Sequence, residues 1–442
     1  MARRKDEDGS NVVPLFDDLR TQVFGPDHKT DITAIPHALR DKGFHAIEHA
    51  LTEQERAIAR SVDASMKRPV EFDDDLKLYA FTHSAFCTTS LLHDRHPFDP
   101  GFGPKALLDL AAHSRKRRKV FDDACQQNTL FDIGAITEPD IRPAIREDRD
   151  ISYTAKAGKY ELFMQPLLHP FEERYFGLPY GIYGRLVLLY LQTECCREGS
   201  EIINVGSSIS AFCKRIGLEP NTRIRYIVAD QINRLASTHF TLKTPGSRRG
   251  QGRGLPLLPP ENVDDSIARE DLMVPFQIVE ASSYVRMDEF QAGGWIKNIK
   301  LNGDFVKALT NCPVSVEESV ISELKGSSYT LDIYLWLAFR LHALKEPERL
   351  SWPQIMQQFG MRNTRQNRHD FKNRHLAKAL LAYPQANIMV DEKGMVICPS
   401  DPPVNVKRVR EKVSATRKVS SLRQSRTVEP ASGDLLEPKK IA

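Results

Sequence analysis

None of the seven cysteines, Cys87, Cys125, Cys195, Cys196, Cys213, Cys312 and Cys398, stands in a C-x-x-C spacing. That excludes a zinc knuckle and a thioredoxin-like redox motif. An odd count, with several members inside apolar helical runs, suits reduced thiols packed in the core of a cytoplasmic protein. Long hydrophobic stretches are also missing: the most apolar runs, Leu186–Leu191 and Leu331–Leu341, fall short of the roughly 20 residues of a membrane span. No apolar segment follows the Met-Ala-Arg-Arg-Lys start, so no signal peptide is expected and no membrane partner either. Charge of one sign is lacking too. The chain has 62 Lys+Arg against 58 Asp+Glu, a net +4, so its distribution is more informative than its total.

Catalytic motifs are equally scarce. There is no G-x-x-x-x-G-K-[ST], hence no P-loop. Gly250–Gly254 lacks the spacing and strand-to-helix context of a dinucleotide loop, and Val205–Ser210 lacks the second glycine of a nucleophile elbow. His93 and His96 form H-x-x-H without a third ligand. A nickase needs paired histidines in an apolar strand plus a tyrosine, and that constellation is not found. The expectation is a non-enzyme with no cofactor and no metal.

What is present is organisation. At 442 residues the chain suits two or three folded units. Residues 1–160 are poorly punctuated. Leu51–Met66 reads as a helix and Leu78–Thr82 as a strand. Ala106–Asn128 reads as a helix carrying the basic run Arg115–Lys119, and Glu138–Asp150 as a linker. Residues 161–300 and 301–403 each read as a domain, and 404–442 as a disordered basic tail.

The two central domains share one pattern. In the first, the apolar helix Tyr183–Glu194 precedes a short helix, Ser207–Ile216, with Ser207 or Ser208 as N-cap and Gly217 as stop. A turn, Leu218–Asn221, leads into Thr222–Ala236. There Ile224, Ile227, Val228, Ile232 and Leu235 share one face. Thr222, Tyr226, Asp230 and Asn233 lie opposite, flanked by Arg223 and Arg225. His239–Lys243 and Phe276–Val285 read as strands around a Gly/Arg-rich insertion, Lys243–Gly254.

In the second, Leu331–Leu344 precedes Trp352–Phe359, with Ser351 as N-cap and Gly360 as stop. Asn367–Tyr383 follows, with Leu376, Ala379, Leu380 and Tyr383 on its apolar face. Asn367, Asp370, Arg374 and Lys378 lie opposite. Ile388–Val390 and Met395–Cys398, around a turn at Glu392-Lys393-Gly394, close the domain as a hairpin. Helix, short helix, turn, polar-faced helix, hairpin is the order of a winged helix-turn-helix. The fold class expected is therefore α+β, mainly helical, with two tandem winged helix-turn-helix domains.

That arrangement suits double-stranded DNA, because the third helix enters the major groove with donors aimed at bases and phosphates. The first copy offers Arg223, Arg225, Tyr226, Asn233 and Arg234; arginine pairs bidentately with guanine and asparagine with adenine. The second offers Arg362, Arg365, Asn367, Arg368, Lys372, Arg374 and Lys378, with Lys393 in the hairpin turn. Their cations would release counterions from phosphates. Arg248, Arg249 and Arg253 of the insertion suit a wing tip reaching the minor groove or backbone. An ordinary solvated face stays open for each helix.

The residues Gly177–Glu194, Ile209–Leu218 and Gln231–Leu235 resemble the plasmid-encoded RepA replication initiators. So do Leu331–Arg340, Ser351-Trp352, Gln358–Gly360, Phe371-Lys372 and Pro399–Pro403, and further upstream Thr82–Cys87. The likeness spans roughly residues 80–403. It implies a protein that binds repeated sites at a plasmid origin, helps open the duplex and recruits host replication proteins such as an initiator or helicase. It also implies an oligomeric state, such as a homodimer, that affects copy number. The Arg115–Lys119 run and the insertion depart from the family pattern. A transcriptional repressor acting through the same helices is the alternative.

Overall fold

The computed structural model describes residues 16–69, 75–96, 99, 152–158, 160–169, 174–175, 177–244, 272–282, 295–311 and 313–427. Helices α1 (Phe16–Phe24), α2 (Ala34–Lys42), α3 (Phe44–Ile47) and α4 (Glu53–Met66) open the chain. Thr52 begins α4 with a capping box, accepting from the Glu55 amide while the Glu55 carboxylate accepts from its own. The strand expected near residue 78 is β1 (Tyr79–His83), followed by α5 (Ser84–Thr88). After β2 (Tyr153–Ala157), β3 (Tyr160–Pro166) and the short pair β4 (Leu168–His169) and β5 (Arg174–Tyr175) come the repeated elements.

The first copy contains α6 (Gly181–Glu198), β6 (Ile202–Asn204), α7 (Ile209–Arg215), α8 (Thr222–Ala236), β7 (Thr238–Thr244) and β8 (Leu272–Phe276). Strands β9 (Val279–Ser282) and β10 (Asn298–Leu301) complete it. Helix α9 (Gly303–Asn311), strand β11 (Pro313–Glu317) and helix α10 (Glu318–Leu324) lead to the second copy. That copy runs α11 (Ser328–Ala343), β12 (Glu348–Ser351), α12 (Trp352–Gln358), α13, β13 (Ile388–Val390) and β14 (Gly394–Ile397). Helix α13 starts as Arg365–Asp370, passes through a π-helical turn at Phe371–Leu376 and ends as Ala377–Leu381.

The second copy has the expected order, with one unforeseen strand. In its sheet, β14 lies between β12 and β13, so the hairpin is anchored to the strand that precedes α12. Gly394 permits this: a Cβ there would sit 2.0 Å from the Leu350 carbonyl oxygen, and only glycine fits. The first copy differs. Its β7–β8 hairpin extends a sheet ordered β2-β3-β7-β8, while β6 joins β10 and β9 in a separate sheet.

Burial falls into two cores, one per copy. Each borrows a helix from the stretch that precedes the other copy. Ile58, Ala59 and Val62 of α4 pack into the second core, and Phe305, Val306 and Leu309 of α9 into the first. Between the cores β1 pairs antiparallel with β11, centred on Phe81 opposite Ser315.

The long helices α6 and α11 meet through Arg185 and Asp332, each the fifth residue of its helix. The Arg185 Nε and Nη2 donate to the two Asp332 oxygens at 2.7 Å. Its remaining donors reach the carbonyls of Leu92, Gly181 and Leu91. All five guanidinium hydrogens therefore have acceptors, which is what a buried arginine requires.

A correction concerns the tail. Residues 404–442 were expected to be disordered, but Val406–Thr427 forms helix α14. Val409 and Val413, one turn apart, are fully buried in the first core. Two valines on one face supply the anchor that mean composition hides. The expected helix Ala106–Asn128 with its Arg115–Lys119 run and the linker Glu138–Asp150 lie outside the described residues.

Replacing Asp332 by Ala strands a buried guanidinium, so Asp332→Ala should lower stability by about 3–5 kcal/mol. Chemical denaturation followed by circular dichroism checks this; a loss within about 0.5 kcal/mol, typical of a neutral surface substitution, would show that the pair does not join the copies.

Candidate nucleic-acid interface

In the second copy the sequence pattern fixes a short helix and then α13. Ser351 and Gln354 form a capping box at α12, Gly360 adopts φ 64° at its end, and Thr364 caps α13 by accepting from the Asn367 amide. These stops set the turn, and the apolar side chains Phe371, Leu376, Ala379 and Leu380 dock α13 on the core.

The opposite side of α13 faces outward. Arg362, Arg365 and Arg374 are exposed; Arg368, Lys372 and Lys378 are half-buried. Lys393 stands exposed in the turn of the adjoining hairpin. Asp370 is the one acid on this stretch; its carboxyl is held below the usual range, chiefly by the Gln366 amide and then by Arg374. Lys378 donates to the Gln54 side chain at 2.6 Å, which places the start of α4 beside the end of α13.

Asn367 departs from expectation. Its amide donates to the Arg362 carbonyl at 2.7 Å, so it braces the turn before the helix and does not stand among the outward donors. His369 and Asn373, not singled out by pattern, are exposed on the same stretch. Neighbouring His375 turns inward, with Nδ1 3.2 Å from the hydroxyls of both Ser327 and Thr330. Burial, and then Lys378, holds its pKa below the ordinary value.

The first copy overturns more. Beyond its first turn, α8 is buried on both sides. Tyr226 is 3% exposed, Asn233 1% and Arg234 0%, so none of these three reaches a duplex. The Arg234 Nε donates to Asp230 at 2.7 Å and its Nη1 to the Leu178 carbonyl at 3.0 Å. Asp99 accepts from the same guanidinium, and the Tyr180 ring lies 5.1 Å from it. Gln231 accepts from the Tyr180 amide at 2.9 Å. The polar face of α8 is thus an internal binding face for Asp99 and residues 177–180. An acid and a base four residues apart were the visible signal for this, but their partner Asp99 is 135 residues from Arg234.

Only the start of α8 stays available. Arg223 is exposed, and Arg225 is half-buried with Nη2 3.4 Å from the Thr222 hydroxyl. Helix-turn-helix proteins use the N-terminal residues of this helix, so Arg223 and Arg225 remain candidates. Arg248, Arg249 and Arg253 of the insertion joining β7 to β8 lie outside the described residues.

Burial pushes the Asp230 carboxyl up to about 6, against the pull of Arg234. Its folded pKa exceeds the unfolded value of about 3.9. The folded form therefore binds more protons between the two values, and stability declines as pH rises from about 4 to about 6. Asp230→Asn should flatten that decline in denaturation midpoints measured across the window; an unchanged slope would remove Asp230 as its source.

No curated protein matches this chain in sequence. Among solved structures, the crystal structure of RctB domains 2-3 is 12% identical, covering 55% of this chain and 88% of its own, with a TM-score of 0.33. A selenomethionine form of RctB domains 2 and 3 is 11% identical, covering 57% and 91%, with a TM-score of 0.31. Superpositions of that size carry no argument. The family comparison is more direct: residues 178–354 match the family model described as plasmid encoded RepA protein. That stretch runs from the entry into α6 to the first turn of α12, and the matched family is the one that the chain's motifs resemble.

Proposed function

We propose that this protein is a non-enzymatic plasmid replication initiator that binds repeated double-stranded DNA sites at an origin. The observation that carries the reading is the outward basic side of α13. Arg362, Arg365 and Arg374 are exposed and Arg368, Lys372 and Lys378 partly accessible there, against the single Asp370. The family match supplies the replication role. Each copy is a winged helix-turn-helix in this reading, and the β13–β14 hairpin with Lys393 is the second copy's wing.

The two copies contribute unequally. Helix α13 presents a full side to the major groove, while α8 offers Arg223 and Arg225 at its tip. Cations on both neutralise phosphates, and the donors between them read base edges. Host initiator or helicase proteins are the partners recruited once the origin is bound. Repression of the protein's own promoter uses the same helices on a single operator, and the DNA site distinguishes the two roles.

Footprinting on DNA beside the protein's own gene should reveal a run of short direct repeats; protection of one isolated operator would favour repression. Arg374→Ala and Lys378→Ala should each weaken binding across sequences and reduce the slope of log affinity against log salt by about 1. Unchanged affinity and slope in both variants would remove α13 from the interface.

A further inference from the structure

Helix α13 is interrupted where its cations are densest, by the π-helical turn Phe371–Leu376. Phe371 and Leu376 are both 0% exposed, yet they stand five residues apart. At about 100° per residue, an uninterrupted α-helix would put Leu376 about 140° from Phe371. Arg374 and Lys378 would then fall about 60° and 20° from Phe371, on the side facing the core. One extra residue in the turn resets this, bringing Leu376 to about 40° from Phe371 and swinging Arg374 and Lys378 to about 160° and 120°.

The turn has a second consequence. Lys372, Asn373 and Arg374 are consecutive, and none is buried; Asn373 and Arg374 are exposed. All three therefore lie on the outer side of the turn. The Asn373 side chain has no partner among the described residues. The inner side of the same turn is fixed, with His375 within 3.2 Å of Ser327 and Thr330 and its ring 5.3 Å from that of Tyr329.

We infer that Asn373 is a specificity-determining residue, presented by the π-helical turn between two phosphate-neutralising cations so that its amide reads an adenine in the major groove. The inference rests on the reading of α13 as the DNA-contacting helix. A carboxamide is an acceptor and a donor side by side, which matches the donor and acceptor of the adenine edge. Lys372 and Arg374 alone can hold the backbone but carry no such pattern.

Deletion of Asn373 gives a clean test in the full-length chain. Removing one residue leaves Phe371 and Leu376 four apart, so a plain α-helix keeps the same apolar face. The cations stay outward and the fold is retained. Wild type, the deletion variant, Asn373→Ala and Arg374→Ala are each used to select from a pool of randomised DNA duplexes, and affinities for selected and scrambled duplexes are compared. The expected result is loss of preference for adenine at one position in the deletion and Asn373→Ala variants. Affinity for the selected duplex should fall about tenfold or more, with affinity for scrambled duplexes and the salt slope unchanged. Retained adenine preference in Asn373→Ala, alongside weakened binding in Arg374→Ala, would overturn the role of Asn373 while leaving α13 as the interface. No effect from Arg374→Ala, with none from Lys378→Ala either, would instead sink the reading of α13 itself.

Discussion

The buried pairing of Arg185 with Asp332 is the constraint around which the rest is arranged. Each residue occupies the fifth position of the long helix that opens its copy, so one contact sets the angle and depth at which the copies meet. A buried ion pair is weak evidence for added stability, because desolvation offsets much of the attraction. Its value here is geometric: a planar guanidinium with five directed donors accepts few arrangements. The acceptors include the carbonyls of Leu91 and Leu92, so the stretch that follows α5 is held by the same group.

Around that pair, the two cores are tied by exchange. Helix α4 serves the second core and α9 the first, while β1 and β11 pair between them. Arg68 and Glu317 add a two-pronged bridge at 2.8 and 3.0 Å across the same seam. Each core includes side chains from the stretch before the other copy, so the unit that presents α8 and α13 is the pair. The spacing between α8 and α13 is then a property of the seam.

The copies diverge in what they expose. In the second, the polar side of α13 has little above it, and its cations stay in solvent. In the first, the corresponding side of α8 meets Asp99 and residues 177–180, and Arg234 is consumed by Asp230 and Asp99. Tyr226, Asn233 and Arg234 are the residue types that read DNA, but a donor with an internal acceptor has no reason to leave it. The same side-chain chemistry stays in solvent in one copy and serves assembly in the other.

The sequence by itself determined the local elements: an N-cap at Ser207 or Ser208 and another at Ser351, the stops at Gly217 and Gly360, and the order of helices and hairpin strands. These follow from interactions within a few residues, which a linear pattern records. Tertiary structure decided which polar face is exposed, because Asp99 reaches Arg234 across 135 residues and no periodicity encodes that distance. It also decided the fate of Val406–Thr427, where Val409 and Val413 anchor a helix whose composition alone reads as unstructured. The π-helical turn belongs to the same class: a straight 3.6-residue count put Asn367 among the outward donors and passed over Asn373. Only the simultaneous burial of Phe371 and Leu376 forces the extra residue outward.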